Sequence, residues 1–79
     1  MNSLHRPLSE LALGQTGRVT EVTGPAEIRH RLMEMGLTSG ADVRMVRIAP
    51  LGDPVELQVR GYRLSVRKSE AASIFIETA

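Results

Sequence analysis

Seventy-nine residues, 42% of them hydrophobic, with ten basic and nine acidic side chains and a net charge of +1, describe one small globular domain spanning residues 1–79. The absence of cysteine excludes disulfide scaffolds, zinc fingers and thiol chemistry, and the balanced charge lacks the electrostatic footprint of a nucleic-acid binder. Tyr62 and Phe75 are the only aromatics besides histidine, too few to build a platform for stacked bases or a polyproline groove.

Residues 1–7 are polar and carry no apolar run of signal-peptide length. No stretch approaches the ~20 apolar residues that span a bilayer. The expectation is a soluble, cytoplasmic chain whose core runs over about 8–77, behind a mobile N terminus in which His5 is solvent-exposed and has no role. A single helical turn opens at Ser9 and ends at Gly14. Residues 18–23 read as a strand, and because Val19 and Val22 differ in parity a bulge or twist is expected there.

Gly24-Pro25 breaks the rhythm, with Pro25 suited to the first turn of a helix. From 26 to 35 the apolar residues Ile28, Leu32 and Met35 fall at i, i+4 and i+7, one face of a helix. Gly36 is the expected left-handed cap, with Leu37 folding back on the last turn. Residues 42–48 form a strand whose apolar set shifts phase between Met45 and Val46, as at a bulge. A proline-stiffened loop follows over 50–54. Val55, Leu57 and Val59, then Tyr62, Leu64 and Val66, alternate with polar residues and predict a hairpin about Gly61. Ser69 is read as the N-cap of one more helical turn, and 74–77 as a closing strand. These elements predict a mainly β fold: a small, strongly bent antiparallel sheet of about five strands, rolled towards a barrel, with one helix and short helical turns.

No phosphate loop, nucleophile elbow or H-E-x-x-H pattern is present, and a barrel of this size has little room for a desolvated pocket. The protein is therefore expected not to be an enzyme. Glu27, His30 and Glu34, at i, i+3 and i+7, form a candidate ligand group for Fe2+, Mn2+ or Zn2+. The same residues also suit a solvated polar face on which Glu27 pairs with Arg31. Arg44, Arg47, Arg60, Arg63 and Arg67 suggest either contact with an acidic protein surface or ordinary outward alternation, and the balanced net charge favours the latter. Met33 lies off the apolar stripe beside Arg29, either a flexible anchor for a partner or an ordinary exposed hydrophobe. Leu51, in Pro50-Leu51-Gly52-Asp53-Pro54, either meets a partner from a pre-stiffened loop or plugs the barrel; the stiffness favours a partner.

Three segments in this order resemble the ferrous iron transport protein A (FeoA) family: LSELALGQTGRV over 8–19, RLMEMGLTSGADV over 31–43, and APLGDPVELQVRGYRLSVRKSEAASIFIE over 49–77. The resemblance implies an SH3-like β-barrel with an inserted helix. It implies a cytoplasmic accessory of ferrous iron uptake acting on FeoB, the large membrane transporter with a cytosolic GTPase region. It carries over neither catalytic residues nor a fixed metal site. The reading is thus a non-enzymatic adaptor with Arg29, Met33, Leu51, Asp53 and Tyr62 as candidate contacts. It needs no obligate cofactor, does not insert into the membrane and does not bind nucleic acid; a weak homodimer is compatible with it. The rival reading is a transition-metal-binding module, chaperone or sensor, built on Glu27, His30 and Glu34. A peptide-binding SH3 module is disfavoured by the shortage of aromatics.

Overall fold

Period-two alternation dominates the chain, and strands dominate the structure. The computed structural model describes residues 4–78. Within them run β1 (Leu4–Pro7), a 3-10 turn (Leu8–Glu10), β2 (Thr16–Val22), α1 (Ala26–Glu34), β3 (Asp42–Ile48), β4 (Val55–Val59), β5 (Tyr62–Val66), α2 (Lys68–Ala71) and β6 (Ile74–Thr78). All neighbouring strands are antiparallel, in the order β1-β6-β2-β3-β4-β5. The mainly β expectation holds, with six strands rather than about five. Among the described residues no helix is long and apolar enough to cross a membrane.

The sixth strand is β1. Leu4, His5, Arg6 and Pro7 pair with Thr78, Glu77, Ile76 and Phe75. Residues 4–7 lack an apolar alternation, so the backbone ladder and a few side-chain contacts hold them. The His5 ring stacks on Phe75 at 5.3 Å between centroids, and its Nε2 lies 3.0 Å from Thr20 Oγ1. Residues 4–7 thus form a strand where a mobile terminus is expected, while His5 is solvent-exposed as expected; residues 1–3, which that expectation also covered, lie outside the described residues.

The two phase shifts in the sequence become two irregularities of register, between Val19 and Glu21 where β2 meets β6, and between Met45 and Arg47 where β3 meets β4. Inward residues of every long strand join one core with Leu8, Leu11, Leu32, Leu37 and Ala71. Burying each large aliphatic contributes about 1.5–3 kcal/mol.

Helix α1 lays Leu32 into this core, with Ile28 and Met35 half-buried beside it. Pro25 is its N-cap rather than a residue of its first turn, and its carbonyl accepts from Arg29 N at 2.9 Å. At the other end Gly36 takes φ 103°, and Leu37 N donates to Leu32 O at 3.1 Å, which folds the buried Leu37 back beneath the helix. A Cβ at Gly36 would run into the Tyr62 hydroxyl, which donates to Met35 O. The cap therefore needs glycine twice, for its dihedral and for the space Tyr62 occupies.

Helix α2 is capped at Arg67, not at Ser69 as expected. Arg67 N donates to Glu70 Oε1 at 3.1 Å, so a carboxylate three residues on replaces the hydroxyl cap.

Candidate functional site

The connection between β3 and β4 is a tight turn closed by Gly52 N donating to Ala49 O at 2.8 Å. Pro50 presets the first central position of a type II turn. The second central position requires positive φ and favours glycine or asparagine, yet Leu51 fills it at φ 70° and ψ 6°. An L-residue with a Cβ is held there at about 1–2 kcal/mol. The residue is 102% exposed, the most exposed large hydrophobe among the described residues. The alternative in which Leu51 plugs the barrel is thereby overturned: a left-handed turn residue at the tip of this loop points away from the core.

The turn is anchored at its base. Ala49 N donates to Pro54 O at 3.0 Å, and the Asp53–Pro54 peptide is cis. Asp53 Oδ1 accepts from Lys68 N at 2.9 Å, satisfying a free amide at the start of α2. Glu70, on α2, binds Arg31 of α1 through Oε2 while Oε1 holds Arg67 N. The Glu70 side chain is only 13% exposed, and its bond from Arg31 holds the carboxyl below the ordinary glutamate range, against a smaller opposing effect of burial. Two carboxylates thus tie the loop, α2 and α1 into one frame. Between them lies an open groove of about 860 Å³, lined by Ile28 and Arg31 of α1, Asp53 and Pro54 of the loop, and Val66 and Glu70 among others. The sequence pairing of Arg31 with Glu27 is replaced by this longer-range ion pair, because Glu70 is already oriented by the Arg67 amide.

The five candidate contacts do not form one cluster. Leu51 and Asp53 share the loop. Met33, 40% exposed, lines a shallow depression on α1 with His30 and Glu34. Arg29 is half-buried on the same helix and has no ionic partner among the described residues. Tyr62, 44% exposed, is tied by its hydroxyl to the C-terminal end of α1. Glu27, His30 and Glu34 are all exposed, and among the described residues no three histidine, aspartate or glutamate side chains are gathered so as to hold a metal ion. The sequence reading missed Arg31 and Glu70 as the frame of the loop. Its available signal was Glu70 placed three residues after Arg67.

Residues 6–78 match the family described as the FeoA domain. The Fe(2+) transport protein A/Fe(2+) transporter FeoB fusion protein of Porphyromonas gingivalis is 39% identical over 70 residues, which cover 89% of this chain and 8% of that protein. The chain therefore spans less than a tenth of that relative. Among solved structures, the FeoA-like protein of Clostridium acetobutylicum superposes with a TM-score of 0.87 at 35% identity, covering 99% of this chain and 90% of that one. FeoA of Stenotrophomonas maltophilia, a prokaryotic SH3 domain protein solved in complex with zinc, superposes with a TM-score of 0.77 at 36% identity, covering 89% and 87%. The expected SH3-like architecture is thus the observed one.

Proposed function

The chain belongs to the FeoA domain family, and on that premise we propose that it is a non-enzymatic accessory of ferrous iron transport that docks on the cytosolic GTPase region of a FeoB-type transporter and biases it between nucleotide states. The observation that carries the reading is Leu51: fully exposed, in a conformation unfavourable to it, on a loop anchored at both ends. A stiff apolar knob loses little entropy on docking, and burying one leucine contributes about 1.5–3 kcal/mol. The Porphyromonas relative supports the pairing, since joining the two units in one chain raises their effective concentration for each other.

A domain without reactive machinery acts on a partner by binding one of its states more tightly than another. A tenfold preference, about 1.4 kcal/mol, suffices to shift a balanced equilibrium to roughly 10:1. In this reading the protein works in the cytoplasm and contributes no catalytic group. The test is association with the purified cytosolic region of a FeoB-type transporter in its GTP-bound, GDP-bound and empty forms, together with GTP hydrolysis. Nucleotide-dependent binding that Leu51→Asp abolishes is expected; no association in any state removes the proposal.

The second reading, weak divalent-metal binding, is supported by His30 and Glu34 lining one depression and by the zinc complex of the Stenotrophomonas relative. Calorimetry with Fe2+ or Mn2+ tests it: heat lost in His30→Ala supports it, and absence of heat ends it.

A further inference from the structure

The outward face of the sheet is unevenly neutralised. The register sets Arg18 opposite Asp42 on one side and Glu77 on the other, so this cation lies between two carboxylates. Arg47 Nη1 lies 3.2 Å from Glu56 Oε2. Between these neutralised places runs a row of direct cross-strand neighbours, Thr16, Arg44, Gln58 and Arg63, on β2, β3, β4 and β5. The row holds two cations and no acid. Neither arginine forms an ion pair among the described residues, and the nearest acids on this face, Asp42 two residues before Arg44 on β3 and Glu56 diagonal to Arg63, are engaged by Arg18 and Arg47.

A rigid turn stands beside this row. Ala12 N donates to Gln15 Oε1 and Gln15 N to Ala12 O, each at 2.9 Å. Gly14, at φ 84°, donates its N–H to Met45 O at 2.7 Å, and Met45 N donates to Gln15 O at 3.0 Å. The turn is thus bonded to β3 next to its bulge, with Leu13 65% exposed at the tip. Leu13, Gly14, Arg44, Val46, Gln58 and Arg63 line one depression of about 390 Å³.

We propose that this depression docks an extended acidic segment of a protein partner, with carboxylates on Arg44 and Arg63 and an apolar side chain against Leu13. Charge complementarity calls for an anionic occupant, and the exposed Leu13 in the same depression as the two guanidinium groups favours carboxylates carried beside apolar side chains on a peptide over phosphate or nucleic acid. Arg44 and Arg63 sit two strands apart, about 10 Å at the backbone. Alternate residues of an extended segment are about 7 Å apart, a difference two long arginine arms absorb. Gln58, between them, offers both a donor and an acceptor to the segment's backbone. None of these residues belongs to the loop of Leu51, so the inference stands independently of the transporter reading.

The experiment titrates the isotope-labelled protein with an acetylated peptide of alternating glutamate and leucine, at low and high salt, and follows amide and arginine Nε–H resonances. Comparison ligands are the same peptide with glutamine for glutamate, inorganic phosphate and a single-stranded DNA oligomer. Salt-sensitive shifts at Leu13, Gly14, Arg44, Gln58 and Arg63 are expected with the acidic peptide. Arg44→Gln and Arg63→Gln should each weaken binding about two- to fivefold without lowering the thermal midpoint, since both side chains are exposed. Equal binding of the glutamine peptide, shifts mapping elsewhere, equal response to phosphate or DNA, or concentration-dependent shifts of the same residues without any peptide would each overturn the proposal. The last of these would assign the face to a second copy of the chain.

Discussion

Gly36 and Leu51 both hold left-handed backbone, at φ 103° and 70°, and they have opposite relations to the fold. At Gly36 the conformation ends a helix, the residue is the one that adopts it freely, and the Tyr62 hydroxyl fills the space a side chain would take. At Leu51 the same conformation is imposed on a branched aliphatic, with none of the described residues covering it. One position follows the local rule and serves stability. The other breaks it, at the position where the proposed docking would cover the side chain.

The largest expected effect is at Gly36. Gly36→Ala adds about 1–2 kcal/mol of backbone penalty and displaces the Tyr62 hydroxyl from Met35 O, a further ~1 kcal/mol. Urea unfolding should therefore show a loss of about 2–3 kcal/mol. In a Tyr62→Phe background the same substitution should cost only the backbone part. A loss under about 0.5 kcal/mol would remove the contrast with Leu51.

Next comes the frame beneath the loop. Asp53→Ala strips the acceptor from Lys68 N and should lower stability by about 1 kcal/mol, with faster hydrogen exchange at the Gly52 amide reporting a looser turn. Substitution at the tip itself should have the opposite sign. Leu51→Asn places a residue tolerant of positive φ in the second central position and should raise stability by about 0.5–1 kcal/mol in the same denaturation assay.

The smallest effect is a pH dependence. Arg31 holds the Glu70 carboxyl below its ordinary range, so the folded state binds that proton less readily than the unfolded state does. The stabilisation is complete above the ordinary glutamate pKa of about 4.3 and is lost as pH falls from there through the depressed folded value. Glu70→Gln should flatten this part of the stability curve while leaving its course above about pH 6 parallel to that of the original protein.

Local patterning explains what the sequence reveals and what it conceals. Ile28, Leu32 and Met35 mark α1, Gly36 marks its end, and the alternation from Val55 to Val66 marks the hairpin, because each signal lies within one element. The phase shifts at Val19–Val22 and Met45–Val46 announce both irregularities of register for the same reason. Strand β1 has no such pattern; its partner lies some 70 positions away and contributes mainly backbone hydrogen bonds. The bonds from Asp53 to Lys68 N and from Glu70 to Arg31 join residues distant in the chain, whereas periodicity suggests only the neighbouring pair Glu27 and Arg31. The unneutralised row is hidden for a third reason. Arg44 and Arg47 differ in parity, and only the irregularity between Met45 and Arg47 turns Arg47 outward, opposite Glu56, while Arg44 stays opposite Gln58.

In the proposed function Leu51 is displayed against the interest of the fold to meet the transporter, which joins two properties in one residue. Measuring the affinity of Leu51→Asn for the cytosolic region of a FeoB-type transporter, beside its unfolding free energy, tests both together. Leu51→Asn is expected to be more stable than the original and to bind at least about tenfold more weakly, as follows when about 1.5–3 kcal/mol of leucine burial is lost. Undiminished affinity in the stabilised variant would contradict it.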